Sequence, residues 1–452
     1  MSKYTQKSTT NMPAKIKSKF TKSDSSDPTA SESSMEAQEL AEVQTIIKKL
    51  DVSKQVILGR VYKNVPDACN AIWKSEYNCL DLQKMELKLR GSDLQTFLQK
   101  MYADFRGAHF RCQQLQDELN ILDQAGIREL PNVKRCEITW GTAMQRRTTT
   151  FPQWPFHALP ALMRNLRRLE IHSPLEVCFI EGFKQLQELR FHGEVETWVL
   201  KGILASGLPL RLLHFLGSHS PDIKGISQCQ QMQNLMINQS VFLANKEEIF
   251  CLPKLQILEI KKLSECKDMM KNLRHVIQER EEYLRIFRLN CSFINSAQEL
   301  IPLELHRCPY MDGLELIDCN FGNQEMLSLG LPVTHKHAVF CHCSNLLDDH
   351  VLDFIQANSK LRQLVFIHCP SLTEELLSKI YKLRRHEKKS YPLKIKFKGS
   401  PDIWEAYKKN FRSFWSDRVD VLQVERFKKD YSPLQHVQFL FREPPSPGTP
   451  AK

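Results

Sequence analysis

The chain has 452 residues, 42% hydrophobic and 25% charged, with a formal net charge of +11 and 14 cysteines. No stretch approaches the ~20 consecutive apolar residues that span a bilayer, and no secretory leader opens the chain. A cytoplasmic or nuclear protein with free thiols is expected, which excludes a disulfide scaffold and a membrane span.

Residues 1–37 are rich in Ser, Thr and Lys and carry few large apolar groups, so burial cannot offset the entropy of ordering them. A disordered basic arm is predicted there. The charge is concentrated: residues 1–30 hold six Lys against two Asp, and residues 382–430 hold fifteen Lys or Arg against seven acids. The rest is close to neutral, so two basic segments flank an ordinary body.

From Leu40 the composition changes. Ile46, Ile47 and Leu50 form one helical apolar face, Val56, Ile57 and Leu58 continue it within 52–61, and Ile72 with Trp73 closes the segment before Leu80-Asp81-Leu82. A compact helical module is predicted over 38–82, short enough to need a neighbour or partner for stability. Residues 83–130 read as a helical linker or N-terminal cap, with Leu94, Phe97, Leu98 and Met101 on one amphipathic helix and room for a first partial repeat.

Over 131–435 one apolar phrase recurs. Its clearest copy is Leu361-x-x-Leu364-x-Phe366-x-x-Cys369-x-x-Leu372, and the first position falls again at Val133, Leu166, Leu186, Leu210, Met232, Leu255, Leu284, Met311 and Val419. Two imperfect copies begin at Lys336 and Ser390, with Val339 and Cys341, then Leu393 and Ile395, at the next two apolar positions. A period of 20 to 30 residues marks a leucine-rich-repeat solenoid. The second and third apolar positions are two apart and share one face of a short strand, and runs such as Leu372 to Ile380 return along a helix. The fold class expected is α/β, a leucine-rich-repeat solenoid with short parallel strands, preceded by the helical module. Cys291, Cys319, Cys343 and Cys369 fall where a small buried group is wanted. The proline-rich stretch around Phe151, Trp154 and Phe156 reads as a loop whose aromatics pack on the body. Residues 436–452 read as a disordered tail.

The order Ile46-Ile47-x-x-Leu50-x-Val52, Val56-Ile57-Leu58-x-x-Val61-Tyr62, Ile72-Trp73 and Leu80-x-Leu82 resembles the F-box. An F-box followed by cysteine-containing leucine-rich repeats is the arrangement of the F-box and leucine-rich-repeat family, and the two resemblances cover most of residues 40–426. The Leu-Pro pair that usually opens the motif is absent, Tyr62 replaces a common Cys, and Val65 a common Trp. What the resemblance implies is a non-catalytic, cofactor-free substrate-recognition subunit of an SCF-type ubiquitin ligase. Ile46, Ile47, Leu50, Val61 and Trp73 would hold a Skp-type adaptor that joins the chain to a cullin, while the repeats hold a protein substrate. A scaffold unconnected to ubiquitin and a nucleic-acid-binding repeat protein stand as the alternative readings.

The strand residues between the buried positions form the expected partner-binding face: Arg167, Arg168, Glu170, Gln187, Arg190, Arg285, Arg288 and Arg362. Such faces bind protein segments, with Arg prominent among hot spots. His335, His337, Cys341, His342 and Cys343 offer five potential metal ligands, but Cys341 and His342 are neighbours on a strand and point to opposite faces, so no metal site is expected. No Gly-x-Ser-x-Gly elbow and no phosphate-binding Gly loop appears, so no catalytic residue is assigned. The basic runs at Arg384, Arg385, Lys388 and Lys389 and at Lys394, Lys396 and Lys398 alternate with apolar residues or precede an aromatic stripe at helical spacing, the pattern of half-buried elements. Nucleic acid is therefore not the expected partner.

Overall fold

The computed structural model describes residues 44–61, 66–140, 155–172, 178–215, 221–261, 269–322, 336–385, 392–399, 421–426 and 437–442, with isolated positions between 403 and 408. The predicted N-terminal arm, Trp154 and most of the aromatic stripe lie outside them. The chain forms two compact units, residues 1–186 and 187–452.

Unit 1 starts with helices α1 (Val52–Val61) and α2 (Pro66–Glu76). They pack with α4 (Ser92–Met101), which follows the short α3 (Leu82–Glu86). Ile47, Val56, Ile72 and Trp73 bury themselves against Leu94, Phe97 and Met101 of α4, and the Trp73 and Phe97 rings lie 5.0 Å apart. Val56, Ile72 and Trp73 thus lie on helices, as their 3.6-residue spacing requires. Strands β1 (Cys79–Leu80), β2 (Gly107–Arg111), β3 (Arg135–Thr139) and β4 (Arg168–Ile171) pair in order and in parallel, with α5 (Leu115–Gln124) between β2 and β3. The ladder therefore starts earlier than residue 131. Phe105-x-x-Ala108-x-Phe110 is a full repeat phrase and Leu80-x-Leu82 its predecessor; small Ala108 hid the pattern.

In unit 2, β5 (Glu188–Phe191), β6 (Leu212–Phe215), β7 (Asn234–Asn238) and β8 (Ile257–Lys261) pair in parallel. So do β9 (Leu284–Asn290), β10 (Gly313–Ile317), β11 (His337–Cys341), β12 (Gln363–Ile367), β13 (Leu393–Lys398) and β14 (Leu422–Arg426). Helices α6 (Thr197–Ala205), α7 (Gln239–Phe250), α8 (Met269–Glu279), α9 (Asp348–Ala357) and α10 (Leu376–Arg384) fill connections between them. The alternation of short parallel strands and return helices is the leucine-rich-repeat architecture. Every described apolar first position of the phrase, from Val133 to Leu361, is at most 5% exposed, whereas Lys336 stays partly exposed.

The register differs from expectation in three strands. In β11 the core residues are Ala338 and Phe340, opposite Leu364 and Phe366 of β12, so Val339 and Cys341 occupy the other face. A slip of one residue exchanges the faces of a strand, and two adjacent apolar pairs concealed it. In β13, Ile395 and Phe397 take those positions, and Val424 of β14 pairs with Ile395. Both slips there are of two residues and keep the same face inward.

The largest departure is at the C-terminus, where a disordered tail was expected. Strand β15 (Val437–Phe441) inserts antiparallel between β8 and β9, pairing Phe439 with Leu258 on one side and Phe287 on the other. Val437, Phe439 and Phe441 are buried, and the Phe287 and Phe439 rings lie 5.2 Å apart. Val437, Phe439 and Phe441 are apolar at a spacing of two, which is the strand signal itself. No helix among the described residues is long and apolar enough to cross a membrane.

Because Phe439 fills the core between the facing edges of β8 and β9, Phe439→Ala is expected to cost about 3–5 kcal/mol. Urea denaturation followed by circular dichroism measures this; a loss within the ~0.5 kcal/mol typical of surface sites would show that β15 does not contribute to the core.

Candidate protein-binding face

The face of each sheet opposite its core carries the strand residues that alternate with the buried ones. In unit 1, Arg167 is exposed, while Arg168 and Glu170 are half-buried and paired at 3.0 Å. His172 lies 3.3 Å from Glu170 and 3.4 Å from Glu137.

The same face of unit 1 holds a polar chain that the sequence reading missed. Asp81 follows β1, and its Oδ2 accepts from His109 Nδ1 at 3.1 Å; His109 Nε2 meets the Thr139 hydroxyl at 2.9 Å. Asp81 Oδ1 accepts from Arg111 at 3.0 Å, and Arg111 Nη1 lies 3.4 Å from Glu118 of α5. Burial opposes the charge on Asp81, but the hydrogen bonds from His109, Lys84 and Arg111 outweigh it and hold the carboxyl down at about 2. Glu118 shows the opposite balance: burial pushes it up to about 7, against the Arg111 backbone N–H and guanidinium. A charged pair this enclosed is a device for geometry more than for net stability. The signal available beforehand was the alternation Gly107-Ala-His109-Phe-Arg111, legible only once Ala108 is accepted as core.

In unit 2, Gln187, Arg190 and Arg362 are half-buried. Arg285 is not part of an open face: it is 8% exposed, its Nη1 donates to the Glu282 carbonyl at 3.0 Å, and its guanidinium lies 4.9 Å over the Tyr310 ring. Burial lowers its pKa. Arg288 points to the face but is engaged, 3.1 Å from Glu315 and donating to Gln438 at 2.8 Å; Gln438 in turn donates to Glu259 at 2.8 Å. This relay Glu259–Gln438–Arg288–Glu315 crosses β8, β15, β9 and β10. Burial raises the Glu315 pKa against the pull of Arg288.

Around β10 to β12 the outer face is apolar and covered. Ile317, Cys341, Val365 and Ile367 are at most 3% exposed and pack with Val339. These strands are buried on both faces, a pattern that resembles continuous apolar strands of parallel sheets and departs from a polar panel.

The other singled-out residues are also accounted for individually. His337 sits over Gly313, where a Cβ would lie 2.3 Å from its ring. His342 is exposed, has a left-handed backbone (φ 54) and stacks on His368 at 4.9 Å, whereas the Cys343 thiol is buried and donates to the Leu316 and Cys341 carbonyls. These groups do not converge on a point; His335 lies outside the described residues. Arg384 is 1% exposed and donates to the carbonyls of Ser359 and Leu361, while Lys394 pairs with Glu425 at 2.6 Å. Within the helical module Ile47 and Trp73 are buried, Ile46 and Leu50 are half-buried, and the Val61 side chain lies outside the described residues. Gln55, 3% exposed, donates to the Ile47 and Leu50 carbonyls at 3.0 and 2.9 Å and accepts from Trp73 Nε1 at 2.7 Å. It pins the start of the module to α2.

The architecture thus defines a leucine-rich-repeat protein with a helical N-terminal module. Comparison with protein-family models and with curated proteins finds no match. Among solved structures, the chain is similar to the crystal structure of the Rad7 and Elc1 complex in yeast, at 13% identity with a TM-score of 0.36, covering 77% of this chain and 94% of that one. It is also similar to a leucine-rich-repeat protein of Leptospira interrogans, at 13% identity with a TM-score of 0.34, covering 80% of this chain and 99% of that one.

His214 on β6 gives the outer face of unit 2 a pH dependence. It is 5% exposed and bonds Asn234 at 3.1 Å, and burial lowers its pKa to about 4 despite that bond. The unfolded chain takes up this proton below about 6.5 and the folded chain only near 4, so the contribution is complete above pH 6.5 and is lost as pH falls toward 4. His214→Gln should flatten the stability profile in that window by about 3 kcal/mol. Urea unfolding at successive pH values measures this, and an unchanged slope would assign the acid sensitivity elsewhere.

Proposed function

We propose that this chain is the substrate-recognition subunit of an SCF-type ubiquitin ligase. The observation that carries the reading is the order of elements: a helical module with the apolar sequence order of an F-box leads directly into a leucine-rich-repeat ladder. Ile46 and Leu50 would meet a Skp-type adaptor, while Ile47 and Trp73 act from inside by shaping the surface. Val61 belongs to the same apolar order, and the adaptor would connect the chain to a cullin. The repeats would present Arg167, Arg168, Glu170, Gln187, Arg190 and Arg362 to a protein substrate, with Arg288 and the buried Arg285 holding the framework. No catalytic group is required. Holding a substrate lysine beside the charged conjugating enzyme raises the rate through proximity. Such a ligase works in the cytoplasm or nucleus.

A second reading, a repeat scaffold with no link to ubiquitin, is favoured by the burial of Ile47 and Trp73, since buried side chains cap an array equally well. Ile46→Asp with Leu50→Asp decides between them. In the ligase reading this variant loses adaptor and cullin from affinity pull-downs by at least tenfold, about 1.4 kcal/mol, and keeps partners bound to the repeats. Absence of adaptor from the wild-type pull-down, with partners unchanged in the variant, would establish the scaffold instead.

A further inference from the structure

Unit 1 contains a cavity of about 780 Å³ at the N-terminal ends of its first strands, lined by Lys74, Ser75, Asn78, Ala103, Asp104, Arg106, Asn132, Lys134 and Arg135. Its composition follows from the repeat. Asn78, Arg106 and Lys134 occupy the same place in three successive turns, each offering its carbonyl to the N–H groups of the next strand. Backbone register therefore stacks their side chains in one column, at roughly the 4.8 Å spacing of neighbouring strands. Arg135, the next residue along β3, and Lys74 of α2 also line the cavity.

The cavity carries four cations and one acid. Asp104 is 3.3 Å from Lys74 and neutralises it, whereas Arg106, Lys134 and Arg135 have no carboxylate within ion-pair distance among the described residues. Several cations of the strands and their flanks elsewhere are engaged: Arg168 with Glu170, Arg111 with Asp81, Lys336 with Asp312 and Lys394 with Glu425. Three uncompensated cations in one concavity raise its potential, and Asn78 adds a neutral donor at the wall, where Ser75 and Asn132 already donate to the Ile72 and Ala103 carbonyls. A dianion with several acceptor oxygens fits this donor set, since guanidinium groups bind such oxygens in pairs.

We propose that this cavity binds the phosphate of a phosphorylated serine or threonine on a partner protein. The inference rests on the reading of the chain as a protein-recognition module and specifies the class of substrate it takes. A phosphorylated side chain carries about −1.5 to −2 charges and three acceptor oxygens at neutral pH, which matches the uncompensated cations. A nucleic acid is the weaker match: no aromatic side chain lines the cavity to stack a base, and the column is only three strands wide, roughly 10 Å.

The test uses the full chain and three fluorescent probes: a degenerate peptide library with a fixed central phosphoserine, the same library with serine, and a short oligouridine. Fluorescence anisotropy at moderate salt should show the phosphorylated library binding roughly tenfold tighter than its serine twin, with the advantage shrinking below about pH 6 as the phosphate protonates. Arg106→Glu with Lys134→Glu should remove the advantage without changing thermal stability, since both side chains are exposed. If charge reversal unfolds the chain, Arg106→Gln with Lys134→Gln carries the same test. Equal binding of the two libraries, or an advantage that survives the substitutions, overturns the proposal; oligouridine bound as tightly and lost in the same variant reassigns the cavity to nucleic acid. Adaptor capture by the Arg106/Lys134 variant separates the two readings. Capture without any phosphopeptide preference in the wild type removes this site alone, and phosphopeptide preference without adaptor capture removes the ligase reading alone.

Discussion

One carbonyl at the N-terminal end of each strand serves two N–H groups of the next, and the rest of the molecule depends on this sharing. The Lys134 carbonyl receives Arg167 and Arg168 at 3.0 and 2.9 Å, and the Gln187 carbonyl receives Arg211 and Leu212 at 2.7 and 3.0 Å. The bond fixes where each strand begins relative to its predecessor. Once that is set, Leu169 falls opposite Cys136 and Leu213 opposite Leu189, and the apolar residues of successive turns meet. A single turn would leave its aliphatic edge in water, so register and burial stabilise the array only together.

The insertion of β15 modifies that rule in unit 2. Parallel pairing joins β5 through β8 and again β9 through β14, and the antiparallel β15 supplies the pairing between the two runs. Contacts that separate Gln438 from Glu259 and Arg288 span 179 and 150 residues of sequence, in an array whose other pairings are local. The middle of unit 2 therefore cannot be completed until the end of the chain is present. Repeat arrays ordinarily fold by propagation between neighbours; here the loop-closure entropy of a long segment must be met before the β8 and β9 edges are satisfied. The relay Glu259–Gln438–Arg288–Glu315 marks the register of the inserted strand on its polar side, as Val437, Phe439 and Phe441 do on its apolar side.

How much of this was legible depended on whether a residue's neighbours in sequence were also its neighbours in space. Strong phrases, such as the one beginning at Leu186, placed their core residues correctly because only one face of the strand was apolar enough to bury. In β11 both faces were apolar, Ala338 and Phe340 on one side and Val339 and Cys341 on the other, and nothing in the local pattern distinguished them. Two-residue errors in β13 and β14 were harmless to the face for the same geometric reason that the one-residue error in β11 was not. Gly107 and Ala108 concealed β2 because a small residue can be core without looking apolar. The partner-binding residues were harder still: Arg285, in the strand that follows α8, turned inward onto Tyr310, a choice made by a ring twenty-five residues away in the chain. The Asp81–His109–Arg111–Glu118 chain joins two successive repeats, and the alternation in β2 that marks it is legible only once Ala108 is accepted as core.

The two ways this molecule uses charge follow from where the repeat places it. On the sheet faces, residues two apart on one strand stand beside those of the next, so an Arg readily finds a carboxylate: Arg168 meets Glu170, Arg288 meets Glu315, and Lys394 meets Glu425. These pairs are partly buried, and exchanging them for contacts with a partner requires breaking bonds already made. At the N-terminal strand ends of unit 1 the geometry differs. Each turn contributes one side chain to a column, the column is set by the shared carbonyls, and like charges are held side by side because the backbone has decided their spacing. Arg106, Lys134 and Arg135 line one concavity open to solvent, where their fields add and attract an anion. A surface whose charges are mutually satisfied discriminates by shape. One whose charges are left unsatisfied by register discriminates by charge, and this chain carries both.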